Sequence, residues 1–240
     1  MATPLEAALL LVLFTFSPPL LGVLWLRNAE RSRPEPWSRV MAAFLYGAGI
    51  AVLVSGFAER YVISQELGGW NQVVIIGAAA FPVLPVIIAP FIEETSKALG
   101  LLFFRDDAPE PENGYVYGGA VGLGFAATEN LLYVISAFLF SGPDVALVLG
   151  VYRGIATVAL HASATAITGY GLWRFRFARG TWRKGLGLVL LPVSLATAIL
   201  VHATYNYIAS VEAGTLVAVA FAIIVFAFVH QRIRVLDRRS

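Results

Sequence analysis

Seven apolar runs, each long enough to cross a lipid bilayer, occupy most of this 240-residue chain: Leu5–Leu26, Val40–Ala58, Val73–Phe104, Tyr115–Phe140, Val145–Trp173, Leu186–Ile208 and Thr215–Ile233. A hydrocarbon core of about 30 Å takes roughly 20 helical residues to cross, so each run is a candidate span. In lipid every backbone N–H and C=O must be satisfied inside the segment, which favours helices wherever the sequence is continuously apolar. With 58% apolar and only 13% charged residues, the chain lacks the charge that a soluble domain of this length carries. The expected fold is therefore all-α: a polytopic transmembrane bundle of about seven spans. It forms one domain over residues 1–240, with a motif-bearing core at about 73–210.

The third run is too long for one straight crossing, since 32 residues at 1.5 Å each reach about 48 Å. Pro82, Pro85 and Pro90 interrupt it, predicting a kinked span or a span preceded by a re-entrant piece. The first run has Glu6 at its start, no positive charge ahead of it and Arg27 after it, which reads as a retained span rather than a cleaved leader. Lys and Arg concentrate in Arg27–Arg39, Arg105–Gly114, Arg174–Lys184 and Arg232–Ser240, which hold four, one, five and four of the 17. The positive-inside rule puts these four segments on one face, with the N-terminus outside and the C-terminus cytoplasmic. The pattern suits a bacterial inner membrane. The basic residues set orientation rather than bind nucleic acid, despite a sequence pI near 9.0. The absence of cysteine excludes a thiolate nucleophile and a disulfide framework.

Glu93, Glu94, Lys97, Glu129, Arg153, His161 and His202 all lie inside apolar runs. Charge at that depth is costly, and each such residue is a functional hypothesis. Counted from the inner ends of their helices, the Glu and His residues fall roughly 15–24 Å deep. Four helices thus deliver polar groups to one layer near the midplane. Glu93 and Glu94 precede Lys97 by four and three residues, so the lysine neutralises one carboxylate on its own helix. The other then faces a low dielectric, the setting of a general base. Arg153, Thr157, His161 and Thr165 form one i+4 stripe, and His202 and Asn206 form another. Gly47, Gly49, Gly118, Gly119, Gly122 and Gly124 read as helix-packing faces. No strand precedes them, so they are not a phosphate loop.

Four motifs lie in order across the third to sixth spans: Glu93-Glu94-Thr95-Ser96-Lys97 (EExxK), Phe125-Ala126-Ala127-Thr128-Glu129-Asn130 (FxxxEN), His161, and His202-Ala203-Thr204-Tyr205-Asn206 (HxxxN). In these residues the chain resembles the PrsW family of intramembrane proteases, within the wider group that includes type II CAAX prenyl proteases. The resemblance covers about half the chain. It implies a helical membrane peptidase acting on a membrane-anchored protein substrate, with single-span regulatory proteins favoured. The CAAX branch carries EExxxR and a histidine where this chain has Glu129, so a prenylated C-terminus is the less expected substrate.

Read as chemistry, Glu93 or Glu94 would deprotonate water, with Lys97 tuning the pair. His161 or His202 would orient the water or protonate the leaving amine. Asn206 with His202 would donate to the oxyanion. Asn130 and Arg153 would support Glu129. A second version is a metal site, Zn2+ in a His2Glu set of His161, His202 and one of Glu129 or Glu93, with water in the open position. The spacing matches no standard zinc pattern, so the cofactor is either none or Zn2+. Ser163 stands only two residues from His161 and does not face it, which disfavours a serine nucleophile. A proton-coupled transporter or channel is the rival class, because buried Glu and His residues also build proton relays.

Overall fold

A computed structural model describes residues 4–66, 84–104 and 110–238. The part of the third run before Leu84, including Pro82, and the acidic residues Asp106 and Asp107 lie outside the described residues.

Among the described residues the apolar runs fold as helices. The elements are α1 (Pro4–Arg27), α2 (Trp37–Tyr46), α3 (Val52–Glu66), α4 (Ala89–Leu101), α5 (Pro111–Ser141), α6 (Pro143–Arg176), α7 (Thr181–Ser210) and α8 (Thr215–Asp237). A wide helical turn at Gly47–Ala51 joins α2 to α3 into one continuous rod, and a second one, Leu84–Ile88, leads into α4. Six stretches among the described residues are long and apolar enough to cross a membrane: Leu9–Arg27, Trp37–Gln65, Pro111–Ser141, Pro143–Arg176, Thr181–Ser210 and Thr215–Asp237. The third run contributes α4, whose 13 residues reach only about 20 Å. The chain is an all-α polytopic membrane bundle.

Helix α6 is the central post, with 56% of its span window buried, the largest share of the six. Its main partner is α5, and small residues bring the two close. A methyl group on Gly122 would sit 2.0 Å from the His161 carbonyl oxygen, so only glycine permits this approach. On its other side α5 meets the end of α2 and the wide turn, where a methyl on Gly124 would lie 1.9 Å from the Phe44 carbonyl oxygen. Gly47 and Gly118 meet backbone carbonyls in the same way and Gly119 meets the Leu26 side chain, whereas Gly49 has open space around its Cβ position. Five of these six glycines therefore pack α5 against its neighbours, and Gly49 does not belong with them.

Tight reversals finish the bundle. Gly142 at φ 93° joins α5 to α6 through a single residue, and Gly180 at φ 81° precedes α7; both sit in the region that favours glycine. Outside, Phe57, Phe140, Leu216 and Ile224 are exposed on helix faces, as expected where the surrounding solvent is lipid tails. Helix α4 is seated on α2 by the Tyr46 hydroxyl, which donates to the Ser96 carbonyl at 3.0 Å. The arrangement presents the α4 motif face to α6 and α7.

Candidate active site

Helical periodicity puts Glu93, Glu94 and Lys97 on one turn of α4, and the turn is buried. Lys97 Nζ donates to Glu94 Oε1 at 2.8 Å and to Glu93 Oε2 at 3.1 Å. It also lies 2.8 Å from His161 Nδ1 on α6 and 3.9 Å from the centroid of the Phe125 ring on α5. From α7, His202 Nδ1 stands 3.0 Å from Glu94 Oε1, and its ring meets the His161 ring edge-on at 4.8 Å. Four helices converge on one buried centre.

The four-residue stripe on α6 acts as its spine. Thr165 Oγ1 donates to Glu94 Oε2 at 3.1 Å. His161 Nε2 lies 2.9 Å from Glu129 Oε2 on α5. Thr157 Oγ1 donates to Asn130 Oδ1 at 2.7 Å, and Arg153 Nε donates to the same oxygen at 2.8 Å. Arg153 also pairs with Glu129 at 2.9 Å and stacks over Tyr133 at 3.8 Å. Every member of the stripe thus binds a residue of α4 or α5, so the shared depth read from the sequence corresponds to real contact.

The two neighbouring glutamates have different surroundings. Glu94 is fully buried and spends both oxygens on three donors, Lys97, His202 and Thr165. Glu93 keeps 6% exposure, and only its Oε2 is bonded among the described residues. Asn206 sits one turn beyond His202, but its Nδ2 donates to the Pro85 carbonyl at 2.7 Å. Its amide braces the wide turn ahead of α4 and is not turned to the two glutamates.

Among the described residues, Glu93, Glu94, His161 and His202 form a buried set whose donor atoms all lie within 4.8 Å of one another. That set could coordinate a metal ion. Glu129, a metal-ligand candidate from the sequence, is outside it, because it bonds the far ring nitrogen of His161. Two residues were missed. Glu59 on α3 lies within electrostatic reach of Glu93 and Glu129, one residue beyond Ala58, where the second apolar run ends. Phe125 was read only as a motif letter, although its ring covers the lysine ammonium.

A second buried polar cluster lies away from this centre, where the ends of α1, α5 and α8 meet. The Tyr117 hydroxyl donates to Glu35, Arg27 Nε donates to the Glu35 carbonyl at 2.9 Å, and Ser32 N donates to Asp237 at 2.9 Å. Burial, followed by the charges of Glu35, Glu112, Asp237 and Glu110, pushes the Glu30 carboxyl up to about 8.

A family model described as PrsW family intramembrane metalloprotease matches residues 35–230, which contain the entire centre. The chain is similar to three proteins named Protease PrsW. The one from Clostridioides difficile is 25% identical, covering 84% of this chain and 80% of the relative. The one from Geobacillus kaustophilus is 30% identical, over 79% and 74%. The one from Bacillus subtilis is 30% identical, over 72% and 71%. No solved structure matches the chain.

Proposed function

The chain belongs to the PrsW family of intramembrane metalloproteases, and from that premise we propose that Glu93 is its general base and Glu94 the buried anchor. It is an integral membrane protein and an intramembrane protease acting on membrane-associated protein substrates. One observation carries the assignment: Glu93 is the carboxylate of the pair with an unbonded oxygen among the described residues, and Glu94 has none. A base must hold the attacking water, and the Glu93 oxygen that accepts from no described residue is the open place for it, whereas each Glu94 oxygen already accepts a hydrogen bond in a fully buried setting.

In this mechanism Glu93 takes a proton from the attacking water and later passes it to the leaving amine. Lys97 holds Glu93 and Glu94 in register and balances their charge. His202 is oriented by Glu94 through Nδ1, which leaves Nε2 to accept the second hydrogen of the water. Glu129 and Arg153, with Asn130 behind them, fix the His161 ring from its other side. Asn206 supports the entrance to α4. The donor types of Glu93, Glu94, His161 and His202 suit a divalent metal such as Zn2+. Held there, it would polarise the scissile carbonyl and acidify water.

The substrate class favoured by this reading is a single-span regulatory protein. The orientation has the N-terminus outside and the third run crossing to give seven spans. Two contacts support it. Arg33, just after α1, pairs with Glu110 before α5, and Arg176 at the end of α6 donates to the Leu102 carbonyl after α4. The exits of α1, α4 and α6 therefore share the basic face. The rod from Trp37 to Gln65 leaves that face and the chain is back at it by Leu102, as the seven-span reading expects.

The test compares Glu93→Gln and Glu94→Gln in the full-length protein, assayed on a panel of co-expressed single-span substrates. Glu93→Gln should stay folded and lose cleavage by about a thousand-fold, the scale of a lost general base. Glu94→Gln should lose stability together with activity. A folded Glu93→Gln protein that cuts at close to wild-type rate removes Glu93 from the role.

A further inference from the structure

A neutral imidazole nitrogen holds either a proton or one in-plane lone pair, while a lysine ammonium can only donate. Lys97 lies between two carboxylates and 2.8 Å from His161 Nδ1. As an ammonium it must donate to that nitrogen, so Nδ1 is the bare one and its lone pair is in use. His161 Nε2 then carries the hydrogen and donates it to Glu129 Oε2 at 2.9 Å. Both ends of the ring fit this one tautomer.

The same reasoning fixes His202. Its Nδ1 faces Glu94 Oε1 at 3.0 Å, and an ionised carboxylate only accepts, so this nitrogen carries a hydrogen. The His161 and His202 Nδ1 atoms are the ones turned toward Glu93 Oε2, at 3.9 and 4.0 Å. A metal at the middle of the donor set would need lone pairs at both. One is taken by Lys97, and the other is covered by its own hydrogen. Carboxylate oxygens have spare lone pairs and could bind two cations, whereas an imidazole nitrogen cannot. His161 therefore decides the matter.

We propose that Lys97 and a divalent metal are alternative occupants of the Glu93–Glu94–His161–His202 donor set. In the chain as folded the ammonium completes the centre, and a metal enters only when Lys97 has left His161. The lysine then supplies, from within α4, the positive charge that a metal would otherwise bring. This inference uses the same residues as the proposed mechanism but does not depend on their cutting a peptide bond.

The experiment is metal binding to full-length, metal-stripped protein in detergent micelles. Zinc is followed by calorimetry and cobalt by its visible absorption, for wild type and Lys97→Met. The expected result is that Lys97→Met binds one zinc per chain at least about ten-fold more tightly than wild type, a difference of about 1.4 kcal/mol. Equal affinity, or tighter binding by wild type, overturns the proposal. Should Lys97→Met fail to fold, wild type alone decides. Intense tetrahedral cobalt bands at equimolar metal overturn the proposal, and their absence upholds it. No substrate enters either measurement. A protein that binds metal as expected but cleaves nothing would count against the proteolytic assignment and leave this one standing.

Discussion

Replacing Arg153 by methionine tests whether the polar layer is a connected structure or a set of separate residues. Arg153 reaches Glu129 at 2.9 Å and Asn130 at 2.8 Å, and lies over Tyr133 at 3.8 Å. The two charged side chains are only 11% and 18% exposed, so the pair is largely shielded. Removing one partner of a buried pair costs about 3–5 kcal/mol, mostly because the remaining charge is stranded. Glu129 keeps the His161 N–H, which places Arg153→Met near the lower end, about 3 kcal/mol. Glu129→Gln with Arg153→Met removes the stranded charge and leaves an amide oxygen for His161. The double variant should recover about 2 kcal/mol relative to the sum of the singles, on the usual scale for coupled neighbours. Reversible unfolding in mixed micelles with increasing SDS measures all four corners of the cycle. A coupling energy under about 0.5 kcal/mol would mean a solvated pair, and the account of Arg153 as a bracing residue would fail.

Thr165→Val keeps shape but takes a donor from Glu94 Oε2 at a buried site. It should cost about 2 kcal/mol in the same unfolding assay, the scale for a hydrogen bond to a charged group; no change would show that Thr165 does not hold Glu94 as described. Glu30 supplies a pH dependence outside the membrane-spanning helices. Its folded value of about 8 stands above the ordinary 4.5, so between those values the folded state holds more protons than the unfolded one. Stability should fall as pH rises from about 5 to about 8 and level off above that. Glu30→Gln should flatten the slope, and an unchanged slope in that variant would assign the titration to another group.

The layer was legible because helical geometry is rigid. The intervals from Arg153 to Thr165 set four side chains on one face of α6, and every one of them finds a partner on α4 or α5. The glycines of α5 were readable for a related reason: close helix approach in lipid demands small residues, and Gly122 meets α6 where this predicts. Distinctions finer than the helix face were not legible. Glu93 and Glu94 are adjacent in sequence, and what separates them is Thr165, 71 residues from Glu94. The His202–Asn206 spacing suggests a shared task, yet Asn206 bonds a carbonyl 121 residues away. That contact arises because the wide turn Leu84–Ile88 ahead of α4 packs against α7. Glu59 escaped because a hydropathy boundary stops at a charge, while the helix continues through it to Glu66.

Charge balance gives a second and independent reason why Glu93 is the reactive carboxylate. The hydrogen-bonded centre holds three acids, Glu93, Glu94 and Glu129, and two permanent cations, Lys97 and Arg153. Arg153 belongs to Glu129. Lys97 is nearer to Glu94, at 2.8 Å, than to Glu93, at 3.1 Å, and Glu94 also takes the His202 and Thr165 hydrogens. Buried charge is tolerated when it is paired and its lone pairs are satisfied. Two of the three acids meet both conditions, and Glu93 meets neither in full. The unbalanced charge and the unbonded oxygen fall on the same residue. A proton taken from water neutralises Glu93 and passes its negative charge to the attacking oxygen, so the burial that costs the ionised carboxylate favours the first step of hydrolysis.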